Sequence, residues 1–181
     1  MNTTKQTGTT ASDAIALLTA DHQKVRSLFR AFDDIKDDTE QSDLKAELVE
    51  QICFELTVHA LVEEEIFYPA VRKAINDNAL MDEAEAEHGN AKNLIKQLEE
   101  MEAGDRQLDA TVNQLSQAIE HHVQEEEGDM FIRVKQTKLD TAQLGHQIQE
   151  RKEAIENDFS GAPASAATSR GAPREPHPGR P

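Results

Sequence analysis

Apolar residues recur along this chain at the spacing of an α-helix, in four separate series. The first runs from a cap expected at Ser12 to about Ile35, with Ile15, Leu18, Val25, Phe29 and Phe32 on one face. The second runs from Glu40 to Ile75, with Val49, Ile52, Leu56 and Ile66 on its face. Pro69 lies inside that series and predicts a kink or a restart, because proline lacks an N–H and crowds the preceding turn. The third runs from Leu80 to Met101 through Met81, Ala84, Ala91, Ile95 and Leu98. The fourth follows a break at Ala103–Asp105 and carries Leu108, Val112, Leu115 and Ile119. The breaks are short, so consecutive helices should be antiparallel neighbours. The pattern predicts an all-α, up-down-up-down four-helix bundle. A weaker series from Leu139 to Glu156 predicts an additional C-terminal helix packed outside it. The expected organisation is a flexible N-terminal tail over 1–11, the four-helix bundle over 12–136, an accessory C-terminal helix over 137–157, and a disordered Pro/Ala/Gly-rich tail over 158–181.

Each apolar series, continued at its own spacing, runs into a polar residue. His22 follows Leu18; His59 and Glu63 follow Leu56; His88 follows Ala84; His122 and Glu126 follow Ile119. Taken singly these signals are weak. A lone histidine on an apolar face is usually a hydrogen-bonded core residue, and a His–Glu pair four apart is common at helix surfaces. The acidic runs at Glu63–Glu65 and Glu125–Glu127 would ordinarily be solvated faces, the reading given to Glu64, Glu65, Glu125 and Glu127. His121, His146 and His177 lie off the seam. A competing register would use His121 with Glu125.

Taken together the six change the picture. Burying four imidazoles and two carboxylates costs several kcal/mol unless something pairs with them. Metal ions resolve that cost: imidazole nitrogen suits Fe, Zn, Cu and Ni, and a carboxylate can bridge two ions. Helical i, i+4 spacing puts the histidine and glutamate of one helix on adjacent turns of one face. The candidate metal ligands are His22, His59, Glu63, His88, His122 and Glu126.

Composition narrows the remaining choices. The chain has 181 residues, 35 acidic against 19 basic, and a net charge of −16. Such a surface repels nucleic acid and anionic membranes, so neither is expected as a partner. The lone cysteine, Cys53, sits between Ile52 and Phe54 and reads as a core residue. No run approaches the length of a membrane span and the first residues lack an apolar stretch, so a cytoplasmic location is expected.

The ordered set His22, His59-x-x-x-Glu63, His88, His122-x-x-x-Glu126 resembles the hemerythrin-like HHE cation-binding family. The flanking segments agree: TADHQKVRSLF, VHALVEEEIFYP, AEHGNAKNL and HHVQEEEGDMF. Aligning EEEIFYP with EEGDMFI places His122, not His121, opposite His59. The resemblance implies two iron ions in an oxo- or hydroxo-bridged di-iron centre. The four histidines would be terminal ligands, and Glu63 and Glu126 the bridges. Oxygen-carrying members have a further histidine on the third helix, four residues from its partner. Here those positions are Ala84 and Lys92, which argues against stable reversible oxygen carriage. Glu85, three residues before His88, is a candidate additional ligand. The implied function is binding or sensing of O2, NO or peroxide, with any signal passing through an unidentified protein partner. The alternatives are a stress-response enzyme that decomposes peroxide or reduces NO, for which Tyr68 and the off-seam carboxylates are the proton-relay residues on offer, and an iron-handling donor. A metal- and small-ligand-binding protein is favoured over a dedicated enzyme.

Overall fold

The computed structural model describes residues 13–161 except Ala103, and every regular element among them is helical. Helix α1 spans Ala14–Ile35. Its cap is Asp13, whose carboxylate accepts from the backbone N–H groups of Ile15 (3.0 Å) and Ala16 (3.4 Å). After a short 3-10 turn, Thr39–Gln41, helix α2 spans Ser42–Val62. A π-helical turn, Glu63–Phe67, leads directly into α3, Tyr68–Ile75. Asn76 ends α3 in the left-handed region (φ 56°), with its N–H returned to the Arg72 carbonyl. Asparagine tolerates that conformation better than most side chains. Asp77 then caps α4, Asn78–Glu99. Helix α5 spans Leu108–Glu125, a second π-helical turn Glu126–Met130 follows, and α6 is Phe131–Val134.

Four rods result: α1, α2–α3, α4 and α5–α6. They form the four-helix bundle that the apolar series predicts. The restart near Pro69 is real, but proline is not its only cause. The same π turn occurs at Glu126, where Ile132 stands in the place of Pro69.

The accessory helix, α7 (Thr141–Gly161), packs on α1 and α2. It runs past the boundary expected at 157, and the ring of Phe159 lies 4.8 Å from that of Phe54. That contact gives the last turn an apolar anchor which Pro/Ala composition alone did not suggest. The N-terminal tail, and the C-terminal tail beyond Gly161, lie outside the described residues.

The core is in two parts. One contains Val25, Phe29, Phe32, Ile52, Leu56, Ile95, Leu98 and Leu115; the other contains Leu18, Val62, Phe67, Tyr68, Met81, Met130, Phe131 and Ile148. Between them lies a polar layer. His22 stands between Leu18 of one part and Val25 of the other, and His88 between Ala84 and Ala91 in the same way.

Candidate metal centre

The structure brings all six seam residues into this layer. Glu63 is fully buried and Glu126 is 1% exposed; His22, His59, His88 and His122 are buried beside them. His22, His59, Glu63 and Glu126 form one cluster of potential ligand atoms, all within 4.8 Å of one another, and Glu63, His88 and His122 form a second. Glu63 belongs to both. Nε2 of His59 is 3.1 Å, and Nε2 of His88 3.3 Å, from the same oxygen, Glu63 Oε2. Nε2 of His22 is 3.3 Å from Glu126 Oε2, and Nε2 of His122 is 3.6 Å from it.

The outer nitrogens explain why the inner ones face each other. Each Nδ1 has its own carboxylate: His22 with Glu127 (2.9 Å), His59 with Asp21 (3.3 Å), His88 with Glu64 (2.9 Å) and His122 with Glu87 (2.9 Å). A carboxylate at Nδ1 holds the proton there, so the neutral imidazole turns its Nε2 lone pair inward. Those lone pairs meet in pairs: His22 and His59 are 3.1 Å apart at Nε2, as are His88 and His122. Two lone pairs at that distance, beside a carboxylate, repel unless a cation lies between them. Glu63 Oε1 and Glu126 Oε2 are also buried without a hydrogen-bond partner. Nε2 of His22 is near Glu126 Oε2 but makes no hydrogen bond to it. The donor set therefore fits a pair of metal ions, and carboxylate–imidazole–metal arrays of this kind are common in such centres.

Without metal, protons take up part of the demand. Burial pulls the His59 imidazolium down, but the Glu63 charge and the Asp21 hydrogen bond outweigh it and push its pKa up to about 10. His122 moves the same way, burial being outweighed by Glu87 and Glu126. Burial would raise Glu63, but His59 and His88 hold its carboxyl well below the ordinary range.

Several of these partners are not read from the apolar pattern. Glu64 and Glu127, read as solvated, orient His88 and His22, while Asp21 and Glu87 lie directly before seam histidines. In a regular helix neighbours point to different faces, so a charged residue beside a seam residue looks solvated. The repeated Asp–His and Glu–His pairs at Asp21–His22 and Glu87–His88 were the signal available. Tyr68, a proton-relay candidate from the sequence, also enters the layer, a placement the apolar pattern does not show. In an α-helix residue i+5 lies about 140° round from i; the π turn brings Tyr68 back over Glu63. Its hydroxyl donates to Glu126 Oε1 (2.9 Å) and lies 3.2 Å from His88 Nε2. Burial, then the charges of Glu63 and Glu126, push the phenol pKa well above its usual value, so it keeps its proton.

Other expectations are corrected. Glu85 is half exposed and pairs with Arg72 (2.7 Å), away from the layer. His121 is 64% exposed, which removes the alternative register. A cavity of about 20 Å³ is lined by all four histidines and walled by Val25, Leu56 and Ile119 among others. That is room for about one water-sized molecule.

Helical bundle and buried His/Glu layer together define a cation-binding protein of the bundle class. The family model for the hemerythrin HHE cation binding domain matches residues 13–134, and the chain belongs to that family. A solved structure of a hemerythrin HHE cation binding domain-containing protein from Mycobacterium kansasii superposes with a TM-score of 0.67 at 23% identity. The match covers 81% of this chain and 89% of that one. A protein from Nostoc sp. (strain PCC 7120 / SAG 25.82 / UTEX 2576), named DNA nickase, is 28% identical over 148 residues. That match takes in 81% of this chain but only 41% of the relative's length. No described helix is long and apolar enough to cross a membrane.

Proposed function

We propose that His22, His59, Glu63, His88, His122 and Glu126 hold two iron ions, bridged by the two glutamates, and that the centre binds or senses O2, NO or peroxide. The observation that carries this reading is the shared position of Glu63 between two clusters of inward-turned Nε2 atoms. When bound, the iron pair supplies ligand binding and redox chemistry that no side chain here possesses. The chain does the rest. Asp21, Glu64, Glu87 and Glu127 set the tautomer of each histidine; the two apolar cores keep bulk water out; the cavity of about 20 Å³ limits the ligand to a few atoms.

The test is elemental analysis of protein loaded anaerobically with Fe²⁺, followed by titration with NO. Two irons per chain and an NO-dependent change in absorbance are expected. Zinc alone, or no metal after loading, would overturn the reading.

Tyr68 favours a second reading, an enzyme that consumes peroxide or NO. Its phenol holds a proton 2.9 Å from Glu126 in a buried layer, where a reaction that needs a proton could take it. Steady iron-dependent turnover, lost in Tyr68→Phe without loss of iron, would select that reading over simple binding. DNA nicking is not carried over from the cyanobacterial relative: this chain spans 41% of it, and a net charge of −16 opposes a polyanionic substrate.

A further inference from the structure

The four outer carboxylates have partners of their own. Asp21, beside His59, receives Lys152 of α7 at 2.5 Å. Glu64, beside His88, receives Lys92 at 2.6 Å. Glu127, beside His22, has the Arg26 guanidinium at 3.6 Å. In these three cases a permanent cation, a carboxylate and an imidazole stand in line with the buried layer. The fourth case differs. Glu87 accepts from His122 Nδ1 at Oε2 and turns Oε1 toward His121, whose Nε2 is 3.4 Å away. The same nitrogen lies 3.5 Å from Glu125 Oε1. Among the described residues, Glu87 is therefore the outer carboxylate that meets a ligand-type nitrogen and a second carboxylate where the others meet Lys or Arg.

We infer that Glu87, His121 and Glu125 form a second, solvent-facing site for a divalent first-row metal ion, which takes the place the lysine or arginine holds in the other three lines. The three ligand atoms lie within 4.8 Å of one another. Ligand atoms bound at about 2.0–2.2 Å around a tetrahedral ion stand roughly 3.3–3.6 Å apart, so the distances to His121 need almost no adjustment. One nitrogen and two carboxylate oxygens suit Zn²⁺, Fe²⁺ or Mn²⁺. Glu87 is preorganised, because His122 already fixes its other oxygen. Glu87 and His121 also border an open hollow of about 340 Å³, lined by Glu83 and Asn90 among others, where water can complete the coordination shell. Corresponding positions in the other half show why the site lies on one side only. His121 and Glu125 match Val58 and Val62, which are buried, and α7 packs against that helix. An ion held by Glu87 would be one carboxylate away from the buried ligand His122.

The test is a Zn²⁺ titration of full-length, iron-loaded protein freed of excess metal, followed by calorimetry and elemental analysis. The wild-type chain is expected to take up one Zn²⁺ more than His121→Ala or Glu125→Gln, with equal iron in all three. His146→Ala removes another exposed pair, in which Nδ1 is 3.4 Å from Glu150 but no third ligand joins the two among the described residues, and should bind Zn²⁺ as wild type does. Equal uptake by wild type and His121→Ala would overturn the inference, as would an equal loss in His146→Ala. Failure of the di-iron reading would show instead in the iron content, which the difference in Zn²⁺ uptake does not depend on.

Discussion

The two halves of the bundle, α1 with α2–α3 and α4 with α5–α6, match residue for residue around the polar layer. Asp21–His22 corresponds to Glu87–His88, and His59-x-x-x-Glu63-Glu64 to His122-x-x-x-Glu126-Glu127. Both glutamates open a π turn, and each half supplies the outer carboxylates in the same crossed manner. The halves differ at the edges. Tyr68 in one is Phe131 in the other, where the ring stacks on His22 at 5.9 Å instead of offering a hydroxyl. Helix α7 covers the first half and brings Lys152 to Asp21; the second half leaves His121 exposed and Glu125 half-buried in its place. The buried His/Glu layer is thus near-symmetric, while its cover and the hydroxyl beside it are not.

The largest expected effect breaks the symmetry at its centre. Glu63 stands in both ligand clusters and Glu126 in one. Glu63→Ala should lose nearly all bound iron, whereas Glu126→Ala should lose much of it yet keep some at His88 and His122. Elemental analysis after identical loading reads this directly. Equal residual iron in the two variants would mean that the glutamates are equivalent and that the asymmetry of the clusters is irrelevant.

Next comes the hydroxyl. Tyr68→Phe leaves the buried Glu126 Oε1 without its 2.9 Å donor. An orphaned buried acceptor costs about 1–3 kcal/mol, which chemical denaturation of the metal-free chain would detect. Phe131→Tyr, adding a hydroxyl to a ring that is 2% exposed, should cost a similar amount by overpacking and a lone donor. It should leave any iron-dependent turnover unchanged, where Tyr68→Phe lowers it. Identical behaviour of the two variants would erase the distinction between the halves at this position.

These differences mark the limit of what periodicity shows. The fold was legible because Leu18, Leu56, Ala84 and Ile119 predict where each seam continues, and the same continuation points to the six buried His and Glu residues. What escaped it depends on departures from helical geometry. A π turn leaves no periodic trace, so Tyr68 five residues beyond Glu63 falls off the expected face and Glu64 looks like part of a solvated run. Asp21 and Glu87 act across to another helix, on His59 and His122, and the pattern along one helix carries no record of a partner on the next. The extent of α7 escaped for a related reason: a single phenylalanine, Phe159, anchors a turn that composition reads as tail.

The response to pH should also separate metal-free from metal-bound protein. His59 has a folded pKa raised to about 10, and that of His122 is raised as well. A raised histidine pKa stabilises fully below the unfolded value of about 6.5 and loses that contribution as pH rises through the folded value. The melting temperature of the metal-free chain should therefore fall from pH 7 to pH 10. Metal-bound protein should show the opposite trend on the acid side, since protons compete with metal for Nε2. A metal-free melting temperature that stays flat up to pH 10 would contradict the inward-facing, carboxylate-paired geometry of the histidines.

The smallest effect concerns α7 itself. Replacing a carboxylate that orients a ligand histidine typically weakens metal binding by about 10–100-fold, which sets the ceiling for Asp21→Asn. Lys152 acts one step further out. With side chains only 20% and 13% exposed, Lys152 and Asp21 are screened less than a surface pair, so Lys152→Ala should speed iron loss to a chelator by a few-fold. Arg151 offers the control on the same helix. Its pair with Glu65 is open to solvent on both sides, and an exposed pair contributes about 0–1 kcal/mol, so Arg151→Ala should leave iron loss unchanged. If both variants release iron at the wild-type rate, α7 is a cover without influence on the layer beneath it. If both accelerate release equally, the cause is loosened packing of the helix and not the line from Lys152 through Asp21 to His59. Acceleration by Lys152→Ala alone would show that the accessory helix holds one half of the centre, a constraint for which the other half has no counterpart.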